Sequence, residues 1–239
     1  MPLPIAFGLI SAAGVLVEAT VGFGGALVSV PLFSLVMSPR EAVPAYLLLV
    51  ALMETFLVCE SHVHVDWRGV ARLLVGAVVG VPLGALGLRY LPTDATRVAV
   101  SVVTILFALC FLVGVNPRIP DRPATRFATG FTSGFLGGLI AVSGPPVVIF
   151  ALSQGWRKDV FRASLLAYFL AIALIGVGSY VCLGMIQRAT LVLWAAGVAG
   201  AVPAAGVGVL LKRRIPEGAF RTLVLVVIVA VSVVGVVHH

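Results

Sequence analysis

The amino-acid sequence predicts an all-α polytopic membrane protein made of two homologous halves, and three observations predict it. Of 239 residues, 61% are hydrophobic and only 10% charged. A soluble domain carries about a quarter charged residues and could not cover its surface with so few. Apolar segments near the ~20 residues that a helix needs to cross the hydrocarbon core recur along the chain. A glycine-rich signature, Gly22-Phe23-Gly24-Gly25-Ala26-Leu27-Val28-Ser29-Val30-Pro31, has a counterpart half a chain later in Ala141-Val142-Ser143-Gly144-Pro145-Pro146-Val147-Val148-Ile149-Phe150. Helix breakers in equivalent places of two repeated halves point to a transporter's binding site.

The first apolar segment, residues 4–37, is too long for one span and holds the signature near its middle. It is expected to be broken, tilted or folded back. It has no basic start, and apolar segments recur after it, so it does not read as a cleaved signal peptide. Single spans are expected at 43–60, 69–88 and 95–115. The longest polar stretch, Asn116 to Arg126, is a short linker, and the repeats divide there into 1–116 and 117–239. The second half opens with another overlong segment, 125–156, followed by spans at 161–183, 190–211 and 218–237. Two further matches support duplication. Gly80-Val81-Pro82-Leu83-Gly84-Ala85 pairs with Ala201-Val202-Pro203-Ala204-Ala205-Gly206, and Leu91-Pro92 through Arg97 pairs with Ile215-Pro216 through Arg221.

If each overlong segment crosses the membrane, every half has four crossings and the halves are parallel. If each is re-entrant, every half has three crossings and the second is inverted. The re-entrant arrangement puts Arg118, Arg122, Arg126, Arg157, Lys158 and Arg162 on one side, the more lopsided partition of the 16 Lys and Arg residues. The positive-inside rule favours it. The expected fold is therefore a pair of inverted repeats, each with one broken or re-entrant segment plus three transmembrane helices.

The net charge of +7 does not indicate nucleic-acid binding, because the basic residues sit in short loops between apolar segments. Cys59, Cys110 and Cys182 lie singly in apolar stretches, with neither a disulfide nor a metal-site spacing, and read as buried small apolar residues. The run Glu60-Ser61-His62-Val63-His64-Val65-Asp66 superficially resembles a metal site. His62 and His64 are two apart and would point to different faces of a helix, so it reads as a loop, with Trp67 at the interfacial aromatic belt. No cofactor or metal is expected.

Backbone freed from helix cannot face lipid, so the breaks at Gly22–Gly25 and Ser143–Pro146 should line a cavity or be buried in protein. A helix starting at each break presents N–H groups without intrahelical partners at a partly positive end. Glycine allows close approach of a ligand, and Pro145 or Pro146 can begin a helix because the missing N–H is needed least there. Gly22, Phe23, Gly24, Gly25 and Ala26, with Ser143, Gly144, Pro145 and Pro146, are therefore the candidate anion-binding residues. The competing reading is close helix packing, which many of the 26 glycines, Gly76, Gly80, Gly84 and Gly87 among them, must serve. Glu18 is an acid deep in an apolar segment, one turn before the first signature, and is the candidate for proton coupling or gating; its counterpart lies near Gly137. The alternative is a structural carboxyl at the broken helix end. Glu54 is a weaker second candidate. An enzyme is not expected, because Ser143 has no base to activate it.

These residues resemble the TauE/SafE family of membrane permeases, associated with sulfite and organosulfonate export. The resemblance covers nearly the whole chain. The first signature, Gly22-Phe23-Gly24-Gly25 through Pro31, matches the family's well; in the second, Ser143-Gly144-Pro145-Pro146 stands where a glycine cluster is usual. It implies a secondary transporter of a small oxyanion, sulfite or a short organosulfonate, in the bacterial inner (cytoplasmic) membrane. Its expected partners are that anionic substrate, the lipid bilayer and protons. An uncoupled channel-like anion pathway and a non-transport intramembrane scaffold are the alternatives.

Overall fold

A computed structural model describes residues 2–21, 24–112 and 118–212. The span expected at 218–237, the repeat match at Ile215–Arg221, His238 and His239 lie outside them. The described chain is helical, with no strand among the described residues. In order the helices are α1 (Leu3–Val21), α2 (Gly25–Val36), α3 (Pro39–Ser61), α4 (Trp67–Tyr90), α5 (Thr93–Leu112), α6 (Pro123–Ile140), α7 (Gly144–Ser153), α8 (Lys158–Cys182) and α9 (Arg188–Lys212). A single 3-10 turn, His62–His64, follows α3.

Stretches within α3, α4, α5, α8 and α9 are long and apolar enough to cross a bilayer. They coincide with the expected spans 43–60, 69–88, 95–115, 161–183 and 190–211. The helices begin a few residues earlier than their apolar cores, as at Trp67 and Lys158, because a helix can continue past the hydrocarbon into the polar interface. The protein is an integral membrane protein.

The chain forms two compact units. One lies within Met1–Tyr46, Leu91–Val115 and Ile186–His239, the other within Leu47–Tyr90 and Asn116–Met185. Each joins helices that are not neighbours in sequence: α1 packs against α9 in the first, and α4 against α6 in the second.

In the second unit, α4, α6 and α8 run parallel. A Cβ on Gly76, Gly80 or Gly84 of α4 would collide with the carbonyl oxygens of Phe127, Phe131 and Phe135 in turn along α6. Gly130 and Gly138 meet the carbonyls of Leu73 and Val81 in the same order. The backbones touch because both helices carry small residues one turn apart. Such close approach supplies van der Waals contact where lipid offers little hydrophobic drive for helix association. On α8 the Tyr168 hydroxyl donates to Gly130 O at 3.4 Å, and the Tyr180 hydroxyl to Gly138 O at 2.7 Å. Two residues a few turns apart on α8 thus meet two residues equally ordered on α6. At the start of this bundle Asp66 N donates to Ser164 Oγ, 2.9 Å; at its far end Arg89 donates to Leu183 O.

In the first unit, α1 and α2 run antiparallel. Gly25 of α2 faces Glu18, Ser29 Oγ donates to Ile10 O at 3.3 Å, and Phe33 stacks on Phe7 with ring centroids 4.4 Å apart. Phe33 also meets Tyr46 edge-on, 5.5 Å between centroids. In α1 and α9, Gly8 and Gly200 each bring the partner backbone too close for a side chain.

One expectation is corrected. Cys59 and Cys182 are exposed and Cys110 is partly so. In apolar spans an exposed side chain faces lipid, so these thiols sit on the bilayer side of the helices instead of in the core.

Candidate functional site

The two signatures build helix starts of different character. At the first, Gly22 and Phe23 lie outside the described residues. Gly24 takes φ 99°, ψ 1°, a left-handed conformation that costs an L side chain ~1–2 kcal/mol. Its carbonyl accepts the Val28 N–H at 3.3 Å, which opens α2. The N–H groups of Gly25, Ala26 and Leu27 precede that bond and have no partner within the helix. Gly25 is buried and Ala26 half-buried. A Cβ on Gly25 would lie 2.5 Å from Glu18 Oε2 and 3.0 Å from Gly14 O. The half-buried Glu18 carboxyl thus sits beside the start of α2, the end a negative charge prefers.

At the second signature α6 ends on Ala141, which takes a left-handed φ of 56° with its N–H bonded to Gly137 O at 3.0 Å. The chain then turns back. The Ser133 hydroxyl donates to Ser143 O, and a Cβ on Gly137 would come within 3.1 Å of Ser143 Cβ and 2.8 Å of Ile172 Cγ2. Ser143 occupies the N-cap of α7, but its side chain makes no capping bond. Pro145 and Pro146 have no N–H to give, so the first turn of α7 offers donors only from Ser143 and Gly144, with the Ser143 hydroxyl. Pro145 is buried; Ser143, Gly144 and Pro146 are half-buried. Gly144 has room around it, the nearest atom to an added Cβ being Phe169 Cζ at 3.8 Å. The structure therefore brings Glu18 to Gly25, and Ser143 to Ser133 and Gly137.

Sequence reading gave too little weight to one buried polar side chain, Glu54, and no sign of another, Ser11. Glu54 is only 2% exposed, deeper than a carboxyl near the loop end of its span should be. Ser11 on α1 is fully buried, and its Oγ has no hydrogen-bond partner among the described residues. A helix that is apolar all round gives no periodic signal of which face meets protein.

The parallel run of α4, α6 and α8 gathers their N-terminal ends, and with them Arg68, Arg72, Arg122, Arg126, Arg157, Lys158 and Arg162, at one end of the second unit. Asp121 lies there too. The hydrogen bond from Arg126 holds its carboxyl below the usual carboxylate range, against the opposing effect of partial burial. A charged cavity of about 380 Å³ opens beside Glu60, His64, Asp159 and Arg162. His62 Nδ1 lies 2.9 Å from Cys59 O. Among the described residues, no three His, Cys, Asp or Glu side chains are gathered as a metal ion would require.

The family described as Sulfite exporter TauE/SafE matches residues 6–234 of this chain. The chain is also similar to the "Probable sulfite/organosulfonate exporter TauE" of Cupriavidus necator, 28% identical over 213 residues, covering 85% of this chain and 80% of that protein. No solved structure matches it.

Proposed function

Since the chain belongs to the TauE/SafE family of membrane transporters, we propose that it exports a small oxyanion, sulfite or a short organosulfonate. The anion's hydrogen-bond donors would come from the two signatures near the bilayer midplane, with protons as the coupling ion. The observation that carries this reading is the pair of helix starts, at Gly25 and Gly144, inside apolar segments whose chain turns back on itself. The parallel course of α6 and α8 supports a re-entrant second segment, since a segment that crossed once would leave α8 antiparallel to α6. A helix start offers preorganised N–H groups and a partial positive charge, which suit an oxyanion with several acceptor oxygens. The similarity to the probable sulfite/organosulfonate exporter of Cupriavidus necator supports the sulfur oxyanion.

Glu18 gives the coupling a physical route. Ionised, its carboxylate occupies the field at Gly25 that an oxyanion would use and repels that anion. Protonated, it leaves the end of α2 to the substrate. Proton and anion then load together.

The test is thermal stabilisation of the purified protein by sulfite, a short sulfonate and chloride across pH, because specific binding stabilises the folded state by mass action. Sulfite or sulfonate should stabilise more than chloride, and more strongly as pH falls. Glu18→Gln should abolish that pH dependence while retaining binding. Ser143→Ala should weaken binding by roughly 0.5–1.5 kcal/mol, one neutral hydrogen bond. A Glu18→Gln protein with the wild-type pH profile would make Glu18 structural, and equal stabilisation by chloride would remove the oxyanion site.

A further inference from the structure

Between the N-terminal ends of α4 and α6 lies a groove of about 490 Å³ lined by Arg72, Val75, Asp121, Pro123, Arg126 and Phe127. Its polar end has two guanidinium groups on facing helices and one carboxylate. Asp121 receives Arg126 through Nε and Nη2, which fixes that guanidinium by one edge and leaves the Nη1 donors for another acceptor. Arg72 is exposed on α4 and close enough to Asp121 to lower its pKa. The groove therefore keeps a net positive charge. Its other end is apolar. Val75 is 62% exposed, Val79 one turn further along α4 is 47% exposed, and Phe127 on the facing helix is 44% exposed. Phe127, Phe131 and Phe135 continue the wall as a stacked row, with centroids 6.3 and 6.4 Å apart.

Depth matches this division. Trp67, 56% exposed at the start of α4, marks the interface. Arg72 is five residues on, about 7 Å along a helix, within reach of the headgroups for a long side chain that snorkels.

We propose that this groove holds an anionic phospholipid, its phosphate between Arg72 and Arg126 and an acyl chain along Val75, Val79 and the phenylalanine row. Charge complementarity selects the headgroup, and continuity with the lipid-exposed flank of α4 selects a lipid over a free anion, which would gain nothing from the apolar wall. Basic pockets between transmembrane helices bind anionic headgroups by this chemistry.

The test is native mass spectrometry of the full-length protein in detergent with phosphatidylglycerol, phosphatidylcholine of the same acyl chains, or inorganic phosphate. One phosphatidylglycerol should be retained about tenfold more strongly than phosphatidylcholine, the worth of one charge-assisted hydrogen bond at the low end. Arg72→Gln should erase that preference. Val75→Asn should weaken both lipids and leave the preference intact. Arg68→Gln removes the same charge from the same end of the same helix, outside the groove, and should change nothing. Equal losses in Arg68→Gln and Arg72→Gln would reduce the effect to surface charge and overturn the proposal. Displacement of the lipid by millimolar inorganic phosphate would overturn it in favour of a free-anion site.

Discussion

The two signatures match each other in sequence, yet they reverse the chain by different means. At the first, the helix start is crowded. Gly25 is pressed between the Glu18 carboxyl and the Gly14 carbonyl, and a left-handed glycine precedes it. At the second, a Cβ on Gly144 would make only an ordinary contact with Phe169 Cζ, at 3.8 Å, and the crowding lies at Gly137 and Ser143. A residue with a side chain, Ala141, takes the left-handed position there. The contacts are not equivalent: Glu18 faces Gly25, whereas Gly137, in the place of Glu18, faces Ser143, which stands in the place of Gly24. Both signatures hold a turn, but a carboxyl stands against the glycine of the first and only a phenylalanine ring edge near that of the second. The first has backbone donors from Gly25, Ala26 and Leu27, and the second, with two prolines, has fewer donors around a less crowded glycine.

The largest expected effect separates the two glycines. Gly25→Val has no room and should lower stability by roughly 1–3 kcal/mol, the usual cost of overpacking. Gly144→Val should lose clearly less, because an added Cβ there meets only Phe169 Cζ at 3.8 Å, and what it loses comes from a branched side chain before Pro145. Thermal unfolding followed by intrinsic fluorescence would compare them, and equal destabilisation would erase the distinction between crowded and less crowded starts. Gly144→Val is then the better test of anion binding, which it should abolish if the ligand reaches the Gly144 backbone.

A smaller pair of effects should have opposite signs. Gly24→Ala places a side chain at positive φ and should cost about 1–2 kcal/mol. Ala141→Gly relieves the same conformation and should stabilise by about 0.5–1 kcal/mol, after glycine's larger loss of freedom on folding is deducted. If both variants destabilise, the left-handed turn is not what limits the second signature.

The smallest effects concern the hydroxyls that hold each turn. Ser133→Ala and Ser29→Ala each remove one hydrogen bond to a backbone carbonyl, worth roughly 0.5–1.5 kcal/mol. The Ser133 loss should be the larger, because the Ser29 bond to Ile10 O is long at 3.3 Å. Melting temperatures that rank the other way would show that the first hairpin depends more on its hydroxyl than on its glycines.

The spans were legible because a run of ~20 apolar residues has one physical reading in a bilayer. The positions of α2 and α7 were legible for a related reason: glycine and proline disrupt a helix through backbone chemistry alone. The packing role of Gly76, Gly80 and Gly84 could be read from their one-turn spacing, but their partners could not. Nothing in the linear order says that α4 meets α6 and α1 meets α9, since every candidate face is equally apolar. Glu54 was undervalued for that reason, its burial depending on neighbours that a single span does not reveal. The carboxyl of Glu18 was found by its depth, whereas its contact with Gly25 needed the reversal of the chain.

The pairing of the first helix with one near the far end of the chain sets a clock on biogenesis. α1 begins at Leu3 and its partner α9 at Arg188. At a synthesis rate of ~5–20 residues per second, α1 waits roughly ten to forty seconds for its partner. The second unit ends at Met185 and is complete before α9 is made. For that interval the backbone at Gly8, which α9 later covers, has only lipid or the insertion machinery against it. A ribosome that stalls after α8 therefore releases a membrane protein with one finished unit and one helix still waiting, a ready target for quality control.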